Sequence, residues 1–250
     1  MLKIRKIHLD TVTSTNDYLK SVSDGDTDTL TVARADFQTK GRGQASNHWE
    51  SEASRNLLFS VLIHPLSVPA SRQYILSMAG ALSICNALSD SVGDITIKWP
   101  NDIYWRDKKI SGTLIETRLS GSVISDCIFG VGVNVNQQVF YSDAPNPVSL
   151  VTITGKETDI DELLDNILQR FVDYLSRIYA NDYDAIRNEY QQRLYRGDNN
   201  LYLYENHTNR YPSGRFSARI VEVKDDGTLV LQDEDGLLRE YTFKEVSFVI

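Results

Sequence analysis

The stretch Asn56–His64, NLLFSVLIH, is apolar almost throughout and ends at Pro65. A strand that does not alternate between polar and apolar residues is buried on both faces. This chain must therefore supply cover for both sides of a sheet. Asp126–Gln137, DCIFGVGVNVNQ, has the same character. KIRKIHLD and DTLTVARAD read as further strands, and Asp94–Glu116 returns to strands. The cover comes from helices. Ser71–Val92 places Tyr74, Met78, Leu82, Cys85 and Leu88 at helical spacing. Thr158–Ala180 lines Leu164, Leu168, Phe171, Leu175 and Ile178 along one face behind a DIDE entry that resembles a capping box. STNDYLKSV and YDAIRNEYQQRL add two shorter helices.

From about Gly197 the pattern changes to short alternating strands, with Asp226-Gly227 and Asp235-Gly236 at hairpin positions. The expected organisation is an α+β domain over residues 1–194 followed by a small β domain over 195–250. A chain of 250 residues accommodates both. The net charge of −8 and the absence of a basic stripe speak against nucleic acid as a partner. Cys85 and Cys127 sit in apolar runs without a C-x-x-C spacing, as reduced core residues do. MLKIRKIHLD is no secretory signal, and no apolar run reaches the ~20 residues of a membrane span. A soluble, cytoplasmic protein is expected.

Four segments carry polar residues whose spacing invites chemistry. In DITIKWPNDIYWRDKKISGTLIE, Pro100 ends a strand, and a turn at Asp107-Lys108 pairs Arg106 with Lys109. That register puts Ile103, Trp105, Ile110, Gly112 and Leu114 on one side. Asp102, Tyr104, Arg106, Lys109, Ser111 and Thr113 fall on the other, with Asp102 and Lys109 roughly 10 Å apart at ~3.3 Å per residue. A phosphate or carboxylate fits between two such groups, although a solvated hairpin has the same spacing. In GVGVNVN, Gly130–Asn136, the third glycine and following helix of a dinucleotide loop are missing. Its glycines instead admit another backbone or a ligand, and Asn134 and Asn136 need either a structural network or a ligand as partners. Ser14-Thr15-Asn16 reads as a helix cap or as a set of groups for a polar ring. Thr39–Trp49, TKGRGQASNHW, offers backbone N–H groups near Gly41 and Gly43 beside the permanent cation of Arg42. The four histidines, His8, His48, His64 and His207, show no metal-ligand spacing.

Taken together, STN, QTKGRGQ, KWPNDI, KKISGTLIE and GVGVNVN occur in the order and approximate spacing of a biotin protein ligase. The resemblance is strong from Ile7 to about Gln137 and looser beyond. It implies an α+β fold: a mixed β-sheet flanked by helices, similar to class II aminoacyl-tRNA synthetases, with a small C-terminal SH3-like β-barrel. By position, it makes Ser14, Thr15 and Gln38 partners of the biotin ureido ring, with Asn16 shaping that helix start. Arg42, Gly43 and Gln44 belong to a loop closing over biotin and the adenylate, and Trp49 forms an apolar wall against adenine or the neighbouring loop. Lys109 meets the biotin carboxylate and the ATP α-phosphate. Asn101 and Asp102 lie toward the phosphate and the acceptor lysine. Gly112 permits close ligand approach, and Asn134 reaches the ribose or phosphate region.

The reaction so implied has two steps: ATP-dependent formation of biotinyl-5′-AMP, then transfer to a lysine of a biotin carboxyl carrier protein or domain. Arg42, Lys109 and Asp102 are its candidate catalytic residues. Mg²⁺ is expected through the ATP phosphates, without a dedicated protein site. Two departures stand out. Gln44 occupies the position where many members carry a second arginine. Only thirteen residues precede Ser14, so a monofunctional form lacking the N-terminal DNA-binding domain is expected. A homodimer through an exposed sheet edge is compatible with the family. The alternatives are a lipoate or octanoate ligase, which needs an apolar channel rather than urea-matching groups, and a non-catalytic biotin or nucleotide sensor.

Overall fold

All seven residues of the apolar run Leu57–Ile63 are buried, and two layers of cover account for it. The computed structural model describes residues 2–43, 48–65, 68–142 and 145–250. The first sheet is built from β1 (Lys3–Val12), β2 (Thr29–Gln38), β3 (Leu57–Ile63), β4 (Ile95–Lys98), β5 (Asp102–Trp105), β6 (Lys108–Ser120) and β7 (Val123–Val133). Its spatial order is β1-β2-β3-β7-β6-β5-β4. Only the β1–β2 pair is parallel, so the sheet is mixed, as expected. The helices are α1 (Thr15–Val22), α2 (Tyr74–Ser89), α3 (Leu150–Thr154), α4 (Ile160–Tyr179) and α5 (Tyr183–Gln192).

Strand parity decides what each face meets. Leu57, Phe59, Val61 and Ile63 of β3 join Phe129, Val131 and Val133 of β7 in one core with α2 and α4. Leu62 and Ile128 point the other way and pack with Leu19 of α1. Helix α2 is apolar on nearly all sides because it lies between the sheet and the amphipathic α4, where a Cβ on Gly80 would touch both Phe129 and Phe171. The expected helix Ser71–Val92 is shorter than its spacing indicates: a 3₁₀ turn at Ala70–Arg72 precedes α2. Helix α4 buries all five of its expected apolar residues, and Asp159 caps its start by accepting from the N–H groups of Asp161 and Glu162.

The hairpin of β5 and β6 departs from its expected register. It turns at Arg106-Asp107, so that Trp105 pairs with Lys108 and Tyr104 with Lys109. Arg106 takes a left-handed φ of 51°. That conformation is held by bonds from its N–H to the Asp94 carbonyl (3.1 Å) and from its guanidinium to the Asp94 carboxylate (3.0 Å). Ile103 then pairs with Ser111, leaving Ile110 as the extra residue of a bulge. The bulge reverses the alternation, so Gly112 faces Lys109 instead of sharing a side with Ile110.

The C-terminal strands β8 (Tyr202–Asn206), β9 (Gly214–Val223), β10 (Leu229–Asp233), β11 (Leu238–Tyr241) and β12 (Val246–Phe248) form an antiparallel sheet in the order β11-β10-β9-β8-β12. This small antiparallel sheet is consistent with the C-terminal β unit implied by the resemblance, although among the described residues β11 and β12 do not pair with each other and no closed barrel is found. Gly227 and Gly236 take the positive φ values that their hairpins require. Gly227 also presses this sheet onto α2 and the residue after β4: its carbonyl accepts from the Trp99 indole N–H (2.9 Å), and the Tyr74 ring lies against its Cα. Gly227→Ala should therefore lower stability by about 1–3 kcal/mol, from a strained φ of 90° and a Cβ 2.6 Å from Tyr74. A thermal melt displaced downward by several degrees is the expected result.

Candidate active site

A cavity of about 910 Å³ opens on the face of the sheet that carries α1. One end is built by α1 and β2. Ser14, Thr15 and Asn16 are all buried there, and Ser14 starts the helix without capping it through its side chain. Gln38 Oε1 accepts from both the Thr15 N–H (2.8 Å) and the Thr15 hydroxyl (3.1 Å). A backbone N–H only donates, so this bond fixes the amide orientation and leaves Gln38 Nε2 as a donor on the cavity side. Ser60 Oγ bonds Thr15 Oγ1 (2.6 Å) and Asn16 Oδ1 (2.5 Å) from below. Asn16 Nδ2 in turn donates to Glu116 Oε2 (2.8 Å).

The middle of the cavity has a glycine floor. Gly112 and Gly132 are cross-strand partners on β6 and β7, and Gly130 lies two residues before Gly132. A Cβ at Gly130 would overlap the Asn16 amide, and one at Gly132 would overlap the Trp49 indole. The close approach expected of these glycines is thus made by two side chains of the site itself. Trp49 is tied back to the segment after β2 by its N–H, which donates to the Gly41 carbonyl (3.1 Å), and Arg42 bridges to His48. Its buried indole Nε1 has no partner among the described residues. Gln44 lies outside the described residues.

Arg42 lines the cavity but is not a free cation. Its guanidinium donates to Asp17 Oδ1 (2.8 Å) and Glu116 Oε2 (3.2 Å), which fastens the segment after β2 to α1 and β6. Burial raises the proton affinity of Glu116, but hydrogen bonds from Lys20 and Asn16 and the charge of Arg42 outweigh it and hold the carboxyl below its usual range.

At the other end, Lys109 Nζ donates to Asp102 Oδ2 at 2.6 Å. The expectation of a gap of roughly 10 Å is corrected by the turn at Arg106-Asp107, which sets Lys109 opposite Tyr104, two residues from Asp102 and on its face. The Lys109 backbone is clamped as well, donating to the Asn146 carbonyl (2.8 Å) and accepting from the Val148 N–H (3.0 Å). Asn101 is not brought into the cavity: it is buried, with its Nδ2 turned toward Ser77 Oγ (3.5 Å) on α2. Asn134 lines the cavity while donating to the Val148 carbonyl (3.1 Å), and Asn136 exchanges bonds with Thr158. A structural network therefore accounts for both amides.

Sequence reasoning passed over Ser60, Glu116 and Lys98. Ser60 is the single polar residue within β3, and that is a readable signal. Lys98 alternates with Ile97 and Trp99, which places it on the cavity face. His8 gathers with Asp10 and Asp36 on the outer surface, a grouping that spacing alone does not reveal because it spans two parallel strands. Arg34 also reaches His8 there, at 3.1 Å, and its positive charge disfavours a cation at the same place.

Residues 9–134 match the Biotin/lipoate A/B protein ligase family. The bifunctional ligase/repressor BirA of Bacillus subtilis is 26% identical over 246 residues, spanning 94% of this chain and 72% of that protein. The biotin--[acetyl-CoA-carboxylase] ligase of Paracoccus denitrificans is 28% identical over 172 residues, 66% of this chain and 70% of its own. Among solved structures, the biotin protein ligase of Aquifex aeolicus in complex with biotin and ATP superposes with a TM-score of 0.78 at 29% identity, covering 97% of each chain.

The Arg42 clasp is testable without any ligand. Glu116→Gln removes one of its two charged acceptors, a part-exposed pair worth about 1 kcal/mol, so native-state trypsin cleavage after Lys40 and Arg42 should accelerate roughly fivefold. Cleavage after Lys3 or Lys6, in β1, serves as the internal control and should not change.

Proposed function

Because this chain belongs to the Biotin/lipoate A/B protein ligase family and is a ligase, we propose that its acid substrate is biotin, activated by ATP and passed to a lysine of a biotin carboxyl carrier domain. The observation that carries the choice of acid is the fixed amide of Gln38. It presents a donor beside the hydroxyls of Ser14 and Thr15, as a buried urea with both N–H and C=O requires. A dithiolane or an alkyl chain would leave these groups unpaired, which disfavours lipoate and octanoate.

In the first step the biotin carboxylate attacks the α-phosphorus. The bond to the bridging oxygen breaks and pyrophosphate leaves. Two anions meet, so the cation at the point of attack does most to lower the barrier. Lys109 is suited to that role, being held at its backbone by Asn146 and Val148. When its ammonium turns to the phosphate, Asp102 loses its partner. The freed carboxylate then receives the ammonium of the carrier lysine and takes its proton. The amine attacks the biotinyl carbonyl, the bond to AMP breaks and an amide remains. Trp49 walls the adenine side above the glycine floor, with its unpartnered Nε1 available to ligand.

The carboxylates lining the cavity among the described residues are Glu50 and Asp102. Glu50 accepts from the N–H groups of Tyr141 and Ser142, and Asp102 from Lys109. Glu50 is engaged by backbone and Asp102 serves Lys109 and then the carrier lysine, so Mg²⁺ fits as an ion arriving with the ATP phosphates. Arg42 contributes by holding its own segment against α1 and β6, and reaches the adenylate only by leaving Asp17 and Glu116. Retention of Lys109 and Asp102 in contact argues against a non-catalytic sensor. A cytoplasmic setting suits both the ATP requirement and the free, buried Cys85 and Cys127. No helix among the described residues is long and apolar enough to cross a membrane.

Biotin-dependent exchange of pyrophosphate into ATP measures the first step. The wild-type protein should exchange with biotin and not with lipoate, and Lys109→Met should fall at least ~100-fold. Exchange that proceeds with lipoate, or that survives Lys109→Met, contradicts the proposal. Asp102→Ala should slow transfer from preformed adenylate to a carrier domain by ~100-fold or more, and unchanged transfer would remove Asp102 from the second step. Arg42→Ala should release free adenylate or fail to form it, as read from adenylate recovered off the enzyme.

A further inference from the structure

We propose that Lys98 is a second anion-binding cation of this cavity and holds the pyrophosphate portion of bound ATP, an assignment that rests on the biotin-activating function above. The position follows from the order of the sheet. Gln38 is on β2, Lys109 is on β6 and Lys98 is on β4. At ~4.8 Å per strand, Lys109 lies about 14 Å across the sheet from Gln38, and Lys98 about 24 Å. A biotin anchored by its ring at Gln38 directs its carboxylate toward Lys109. Trp49, above the paired Gly112 and Gly132, keeps the nucleoside over the same central strands. With acid and nucleoside both converging on Lys109, the leaving group points onward to the remaining end of the cavity, where Lys98 stands.

Lys98 and Asp102 are cross-strand partners in β4 and β5, so their side chains share the cavity face. The Lys98 ammonium donates to the Tyr104 hydroxyl (3.2 Å) and lies over the rings of Tyr104 (4.8 Å) and of Phe248 in β12 (5.4 Å). Among the described residues no carboxylate oxygen comes within 4.0 Å of it. A half-buried cation without a counter-ion, facing a cavity, is an unbalanced charge that an anionic ligand would balance. Asp102, the nearest candidate, is committed to Lys109.

The charged groups around Lys98 give the site a pH dependence. Burial lowers its pKa to about 8, Lys109 on β6 and Arg196 after α5 push the same way, and Asp102 on β5 opposes them. Lys244, before β12, lines the same cavity, and burial keeps the Tyr104 hydroxyl protonated by raising its pKa. A polyphosphate bound beside Lys98 restores the ammonium. ATP affinity should therefore be full below pH 8, weaken as pH rises through 8, and be accompanied by proton uptake.

Calorimetric titration of α,β-methylene-ATP, which cannot transfer its adenylyl group because the α,β bridge does not break, into the biotin-loaded protein tests this, with AMP as the ligand lacking a pyrophosphate. At pH 7, Lys98→Met should bind the ATP analogue roughly tenfold more weakly and bind AMP as the wild type does. Wild-type affinity for the analogue should fall between pH 7 and pH 9 relative to Lys98→Arg, whose cation does not titrate, and only the wild type should take up a proton at pH 8.5. Equal losses for analogue and AMP, or an analogue affinity unchanged in Lys98→Met, would overturn the assignment. Biotin-dependent pyrophosphate exchange by the wild type separates the two levels. A protein that exchanges but shows these losses nowhere refutes the role of Lys98 alone, and one that neither exchanges nor binds the analogue refutes both.

Discussion

The carbonyl of Pro100 accepts two tyrosine hydroxyls, Tyr74 from α2 at 2.9 Å and Tyr190 from α5 at 2.7 Å, and the two hydroxyls lie 3.0 Å from each other. The active-site end of the molecule depends on this junction. It fixes the turn between β4 and β5, the strand that presents Lys98 and the strand that presents Asp102. The neighbouring Trp99 is pinned from the opposite side by the Gly227 carbonyl of the C-terminal sheet. Two helices and a separate sheet thus converge on a three-residue turn. Buried hydroxyls and an indole N–H that lose their partners are costly, so the turn resists displacement. The ion pair of Lys109 and Asp102 inherits that rigidity, which suits the role proposed for it at a developing charge.

The opposite end depends on a different constraint: polar groups inside an apolar layer must satisfy one another. Ser60, Thr15, Asn16, Gln38 and Glu116 do so as a chain of hydrogen bonds that runs along the α1 face of the sheet from β3 to Arg42. The Gln38 amide therefore has its orientation set before the proposed ligand ring arrives. The glycine floor joins the two ends. Because Gly130 and Gly132 lack a Cβ, Asn16 and the Trp49 indole can rest directly on the sheet.

Much of this was legible in the sequence because it follows from period and position. The unbroken apolar run of β3 required two layers of cover, and α1 and α2 with α4 supply them. The site residues expected from the motifs line one cavity except for Asn101, and for Gln44, which lies outside the described residues. The rest was hidden where local pattern loses to tertiary contact. Alternation along β5 and β6 assumes an unbroken ladder, and the Ile110 bulge reverses it after Lys109. No spacing rule links Arg42 to Glu116, 74 residues away. Lys98 looks like any polar residue on a half-exposed strand until Phe248, 150 positions later, is seen to cover it.

A crystal structure of the protein with biotin and α,β-methylene-ATP tests the central claim most directly. The account predicts the ureido ring within hydrogen-bond distance of Gln38 Nε2 and the Thr15 hydroxyl, with the carboxylate beside Lys109 and Asp102 released from it. A biotin bound with its carboxylate at Gln38, or bound outside this cavity, would contradict it.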